Sequence, residues 1–265
     1  MRLIETWSLG LFLLLLFLGL TLRAEEAGQA VYFGKKESTE AALIGILYDL
    51  KQDQQRNSLK WTKATELMGQ FLRAGWDEAL LNKFYRVTKP LYATQVFIPQ
   101  MDADSAPAAF GVQDTVKPRN WLIHYKGQVS PPKAGRFRFL GGSDDFMAVA
   151  INQTTVLIAN HPQIDFENPG WKGVREDPWV PNGRSVKGDW FTAKPGEIMD
   201  IDIIVGEIPG GSFGAWLFIE QEGVKYEERK GQMVPTIFQV ARRTFDLKGD
   251  LPAYADMPEP WICHQ

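Results

Sequence analysis

Residues Ala134 to Asn160 read AGRFRFLGGSDDFMAVAINQTTVLIAN. Phe137 and Phe139 alternate with Arg136 and Arg138, the two-residue period of a strand with one buried face. Gly141-Gly142-Ser143 and the paired Asp144 and Asp145 then read as a turn. Met147, Val149 and Ile151 share the face of a second strand. Asn152-Gln153 predicts a hairpin turn, since Asn tolerates the left-handed backbone that tight hairpins need. Thr155 to Ala159 returns as a third strand. Three short strands joined by turns point to an antiparallel sheet.

The same grammar extends outward. Trp121, Ile123 and Tyr125 alternate with Leu122, His124 and Lys126. Met199, Ile201, Ile203 and Val205 alternate with Asp200 and Asp202, and Ala215 to Glu220 and Thr236 to Val240 read as further strands. Upstream, Ala41 to Leu50 (AALIGILYDL) predicts a buried strand, and Tyr92 to Ile98 another that Pro99 ends. Between those two, Leu59 to Leu72 carries Met68, Phe71 and Leu72 among good helix formers, with Gly75 as a stop. Asp77 can cap a second helix whose face holds Leu80, Leu81, Phe84 and Tyr85. The fold expected is mainly β, an antiparallel sandwich or barrel, with a two-helix insertion over 58–86. Residues 160–190 hold Pro162, Pro169, Pro178 and Pro181 with Trp171, Trp179 and Trp190 and show no period, so a long irregular loop is expected there.

Composition narrows the function. The formal charge is −3 over 265 residues, so no basic excess suits a nucleic-acid backbone. Near the N-terminus, Arg2 precedes an apolar run from Leu9 to Leu20, and the chain turns polar after Ala24. That order predicts a signal peptide over 1–24 and an exported protein, secreted or held in the cell envelope or periplasm. The run falls short of the ~20 residues a membrane span needs, although Glu5 and Leu22 fit a cleavable signal poorly and keep an uncleaved anchor as the alternative. No later segment is apolar enough to span a bilayer. Residues 25–40 are expected as a lead-in, 41–245 as one β domain, and 246–265 as a C-terminal tail. Cys263 is the one cysteine, so an intrachain disulfide is excluded.

On Gly135, Phe137, Phe139, Asp144, Asp145 and Asn152, with WLIHYKG at 121–127 and AWLFIE at 215–220, the chain resembles the PA14 domain family over about residues 41 to 245. The resemblance implies a β-sandwich or barrel whose usual work is carbohydrate binding or protein contact. It also implies calcium as cofactor, held by two adjacent aspartates joined by a cis peptide; the matching residues are Asp144 and Asp145. Calcium takes six to eight oxygen ligands, and sugar hydroxyls can complete such a shell. The family often has Gly after the pair, where this chain has Phe146, a ring that either closes over the pair or turns inward. The alternative reading of the pair is one turn cap and one solvated acid. Asn152, Asn160 and Asp165 are candidates for a further oxygen. Trp171 and Trp179 are candidates to stack on a sugar ring, against the plainer role of pinning the loop to the core.

Enzyme signals are weaker. Gly210-Gly211-Ser212-Phe213-Gly214 matches G-x-S-x-G, but a strand follows where hydrolases need a helix, so the segment reads as a hairpin connection. Asp200 and Asp202 read as acids of a solvated face. No phosphate loop, zinc spacing or dinucleotide fingerprint is present. The sequence therefore predicts a non-catalytic binding module for carbohydrate or glycosylated surfaces. A structural, protein-contact module of the envelope is the alternative, and a glycosidase or esterase ranks last.

Overall fold

The computed structural model describes residues 31–60, 63–180, 183–229 and 231–264, with the side chains of 174–185 outside the description. The expected signal peptide at 1–24 lies outside the described residues. In chain order the strands begin with β1 (Leu43–Asp49), β2 (Tyr85–Arg86), β3 (Leu91–Ala93), β4 (Phe97–Asp102) and β5 (Trp121–Ser130). Next come β6 (Gly135–Asp144), β7 (Phe146–Ile151), β8 (Thr154–Ile158), β9 (Val174–Val180), β10 (Gly183–Lys187) and β11 (Phe191–Ala193). The last are β12 (Met199–Glu207), β13 (Ser212–Gln221), β14 (Glu227–Arg229), β15 (Gln232–Val234), β16 (Thr236–Ile237) and β17 (Ile262–His264). Helix α1 (Ala64–Arg73) and a 3₁₀ turn (Glu78–Leu81) lie between β1 and β2, and α2 (Ser105–Ala109) follows β4.

Two antiparallel sheets face each other. The first runs β2-β1-β5-β12-β7-β8, with β3 added on β1 and β17 on β5. The second runs β16-β13-β6-β10-β9, with β11 on β6 and β4 on β13. Between them pack the expected alternating residues: Ile123, Tyr125, Val149, Ile203 and Val205 from the first, and Phe137, Phe139, Leu217 and Ile219 from the second. The chain is thus a mainly antiparallel β-sandwich, as its alternation predicts.

The first sheet is buried on both faces. Every residue of β7 (FMAVAI) is buried, the continuous apolar pattern of a strand covered on two sides. On the outer face Leu122, Phe146, Ala148, Ala150 and Ile204 meet Leu67, Met68, Phe71 and Leu72 of α1. The helix starts later than its apolar spacing suggests and stops where Gly75 does. Gly75 adopts φ 70°, and Trp76 N–H reaches back to the Phe71 carbonyl, a glycine-terminated cap. Asp77 accepts the Ala79 N–H as expected, but it starts a single 3₁₀ turn and not a second α-helix.

Four other expectations are corrected. Pro99 does not end its strand: it lies inside β4, an edge strand, where the pairing with β13 slips between Phe213 and Ala215. A bulge on an edge accommodates a residue without an N–H. Residues 160–190 are not wholly irregular, since β9 and β10 form a hairpin joined to β6. The expected 246–265 tail is part of the body. Trp261 is 1 % exposed, edge-on to Phe137 and Phe238 at 5.2 and 5.6 Å, and β17 pairs with β5. Leu247, Leu251 and Tyr254 cover Phe97, Leu140, Trp216 and Phe218 on the outer face of the second sheet. The lead-in also joins the core at Phe33, which is fully buried.

Two substitutions test this packing. A Cβ on Gly69 would sit 2.0 Å from the Glu167 carbonyl oxygen. Gly69→Ala is expected to lower unfolding stability by about 1–3 kcal/mol despite its better helix propensity. Trp261→Ala is expected to cost about 3–5 kcal/mol. Urea titrations of both variants against the parent check these values; an unchanged midpoint in the second would return 246–265 to the status of a tail.

Candidate functional site

Asp144 ends β6 in the second sheet and Phe146 begins β7 in the first. The aspartate pair therefore marks a crossing between sheets, and not the turn of a hairpin as expected. The Asp144–Asp145 peptide bond is cis. A second crossing lies alongside. The chain leaves the first sheet at Glu207 and enters the second at Ser212, so the G-x-S-x-G segment is a sheet-to-sheet connection and not the expected hairpin. Gly210 and Gly211 take φ values of 88° and 122° there, open to glycine and strained for other residues.

The two crossings are bonded to each other. Ile208 N–H donates to Asp145 Oδ2 at 2.8 Å, and Asp145 N–H to the Gly206 carbonyl at 3.3 Å. His161 N–H donates to the Asp145 carbonyl at 2.6 Å. Gly210 N–H donates to Glu207 Oε1 at 2.7 Å. The bulge in β4 supplies the next contact: Gln100 Nε2 donates to Asp144 Oδ2 at 2.7 Å. Gly214, paired with Asp144 across the sheet, leaves room for this, because a Cβ there would sit 2.7 Å from Gln100 Oε1.

Phe146 turns inward. It is fully buried, packs 5.5 Å from Phe166, and lies against Gly206, where a Cβ would meet its ring at 2.2 Å. The ring therefore does not close over the pair.

The electrostatics are unbalanced. Asp145 and Glu207 are 5 % and 1 % exposed. Glu207 Oε2 is buried without a donor among the described residues, and so is Gln100 Oε1. Burial first, and the Asp145 charge second, push the Glu207 carboxyl up to about 9. Burial likewise raises Asp145, aided by Asp144, against the Ile208 N–H that favours its charged form. No ion pair among the described residues brings Lys or Arg to Asp144, Asp145 or Glu207. Two carboxylates in contact with no donor between them need either a proton or a cation.

Hard oxygen donors of this kind suit calcium. No group of three His, Cys, Asp or Glu side chains is placed to hold a metal among the described residues. A complete shell must then draw on amide and backbone oxygens, water and ligand hydroxyls.

The other candidate residues lie apart or serve the fold. Asn152 and Gln153 take φ 48° and 63° and turn the β7–β8 hairpin as expected. Asn152 Oδ1 accepts the Asp200 N–H at 2.8 Å, at the far end of β7 and roughly 20 Å from the pair. The structure therefore does not bring Asn152 to the aspartates. Asn160 is close: its Oδ1 accepts the Met147 N–H at 3.2 Å and its Nδ2 donates to the Ile164 carbonyl at 3.3 Å, which braces the loop beside the pair. Asp165 is exposed on that loop. Trp171 is half-buried against both core clusters and donates from Nε1 to Asp189 Oδ2 at 2.6 Å, the pinning role. Trp179 lies in β9, and its side chain falls outside the described residues. Asp202 is not an idle surface acid, for Oδ1 lies 2.8 Å from Nε2 of buried His124. Ser212 is exposed and no histidine is bonded to it among the described residues.

Glu207 and Gln100 were missed by the sequence reading. Glu207 had a signal: it continues the inward series Met199, Ile201, Ile203, Val205, so alternation places a carboxyl on the core side. Gln100 had none, since only the bulge aims it.

Solved PA14 domains are similar to this chain. The PA14 domain of the antifreeze protein MpAFP is 17% identical, with 71% of this chain and 85% of that one covered and a TM-score of 0.40. A PA14 sugar-binding domain from an RTX adhesin is 14% identical over 76% of this chain and 97% of that one, with a TM-score of 0.35. The Candida glabrata epithelial adhesin 6 A domain, solved with Galβ1-3GlcNAc, is 13% identical over 71% and 83%, with a TM-score of 0.39. No family model matches the sequence, and no curated protein matches it at a significant level.

The raised carboxyls set a pH dependence. Their folded pKa values lie above those of the unfolded chain, so the folded state holds extra protons. Stability from this source is complete below the unfolded pKa near 4.5 and is lost as pH rises toward about 9. In the presence of a chelator, the unfolding free energy is expected to fall progressively between pH 5 and 9. Glu207→Gln is expected to flatten that profile. Urea titrations at pH 5, 7 and 9 read both.

Proposed function

We propose that this chain is an exported carbohydrate-recognition module, not an enzyme, in which Asp144 and Asp145 hold calcium. The observation that carries the reading is the cluster of three carboxyls at the paired sheet crossings, with no cationic side chain among the described residues to balance it. The resemblance at Gly135, Phe137, Phe139, Asp144 and Asp145 gives it direction.

A bound calcium ion would supply positive charge and open ligand positions for vicinal sugar hydroxyls. The protein's own work is to hold the oxygens. Gln100 orients the Asp144 carboxylate from the β4 bulge. Ile208 N–H fixes one oxygen of Asp145. Glu207 stands behind Asp145 with its own Oε1 tied to Gly210. Tethered carboxylates lose little freedom on binding, which favours affinity. Sugar binding there would exchange hydrogen bonds to water for hydrogen bonds to the site. Weak, exchangeable binding of single glycans follows.

Among the described residues no helix is long and apolar enough to cross a membrane. Export rests on the N-terminal pattern and is part of the proposal.

Calorimetry with calcium, on the protein and on Asp144→Asn and Asp145→Asn, tests the reading. Saturable binding is expected in the parent and a loss of about tenfold or more in each variant. Glycan retention is expected to disappear in EDTA. A folded parent that takes up no calcium would overturn the calcium assignment. Silence on a glycan array in calcium would overturn the carbohydrate reading in favour of a protein-contact module.

A further inference from the structure

A second site lies away from the aspartates, where the lead-in crosses the edge of the first sheet. Tyr32, Lys35, Tyr92, Gln95, Arg242 and Phe245 line a mostly apolar cavity of about 180 Å³, with backbone and hydroxyl groups of Thr94 and Thr244 beside them. Among the described residues no acidic side chain lines it. The cavity is built, and not a gap between loose segments. Lys35 and Tyr92 exchange both backbone hydrogen bonds, at 2.9 and 2.8 Å. Tyr32 is held edge-on to Phe245 at 5.7 Å and by its hydroxyl to Lys248.

Three features call for a ligand of one kind. First, Gln95 is 4 % exposed, and its Nε2 has no partner among the described residues, while its Oε1 accepts from Gln239. A buried amide donor without an acceptor is costly, and a ligand oxygen would satisfy it. Second, Lys35 and Arg242 both face the cavity with donors to spare. Lys35 Nζ gives one proton to Thr244 Oγ1 at 2.6 Å, and Arg242 gives Nη2–H to the Pro258 carbonyl at 3.1 Å. An ammonium has three donors and a guanidinium five. Third, the walls carry aromatic rings, which suit the C–H faces of a sugar, and the volume admits about one ring.

We infer that this cavity binds a carboxylate-bearing monosaccharide, a uronic acid, with its carboxylate between Lys35 and Arg242 and a ring or hydroxyl oxygen on Gln95 Nε2. The site is independent of calcium at Asp144 and Asp145. It would give the module a preference for acidic glycans that does not depend on the aspartate pair.

The test is protein-observed NMR titration with galacturonate, galactose and benzoate, in EDTA so that the aspartate site is silent. Galacturonate is expected to shift resonances of Tyr32, Tyr92, Gln95 and Phe245 to saturation, and galactose and benzoate are expected to do so at least about tenfold more weakly. Gln95→Glu keeps an acceptor for Gln239 but removes the free donor and adds a charge; it is expected to abolish the shifts. Arg242→Gln, at an exposed position, is expected to weaken them by about tenfold or more. Equal binding of galactose would overturn the role of the two cations, and equal binding of benzoate the assignment to a sugar. No shift with galacturonate, or full binding by folded Gln95→Glu, would overturn the site.

Discussion

The chain passes from one sheet to the other twice at the same place, and each passage is bonded to the other. Asp145 receives the Ile208 N–H, and its own N–H is received by Gly206. Without this pair of contacts β7 and β12 could not run side by side from Phe146 and Gly206 onward, as their register requires. Nor could β6 and β13 pair from Asp144 and Gly214 in the opposite sheet. One polar joint thus sets the starting register of the central strands of both layers. In a sheet, a slip of one residue would turn every inward side chain outward.

The joint is made of carboxyls, and there lies its chemical interest. An apolar corner could have closed the sandwich at lower cost, since buried acids lose their hydration. Here three acids share one corner: burial raises both Glu207 and Asp145, Asp145 adds to the rise of Glu207 and Asp144 to that of Asp145, and no lysine or arginine answers them among the described residues. A proton between the carboxyls relieves this corner, and the calcium proposed above would do the same. Phe146 fills the space beside Gly206, and Gln100 reaches Asp144 because Gly214 has no side chain.

The two covers of the sandwich come from different chemistry. On the first sheet α1 lays Leu67, Met68, Phe71 and Leu72 over the outer face, with Gly69 pressed against the Glu167 carbonyl. On the second sheet the C-terminal segment does the same with Leu247, Leu251 and Tyr254. The helix was legible as an amphipathic stretch. The C-terminal cover was not, because its apolar residues are spaced without period among prolines and acids, and only contact with the sheet gives them a common side.

What the sequence determined by itself is the class of the fold and the inward face of its strands, because alternation with a period of two is a local property and needs no partner to be read. Ala134 to Asn160 carried three strands, a left-handed hairpin turn at Asn152 and the acid pair, and Met199 to Val205 carried the phase that also turns Glu207 inward. Tertiary structure decided which sheet each strand joins, and that assignment makes the site. Asp144 and Asp145 read as a turn because nothing local distinguishes a hairpin from a change of sheet. Pro99 read as a strand end because a bulge exists only against a partner strand. Gln100 and Glu207, 107 residues apart in the chain, meet the aspartates only once the sandwich has closed.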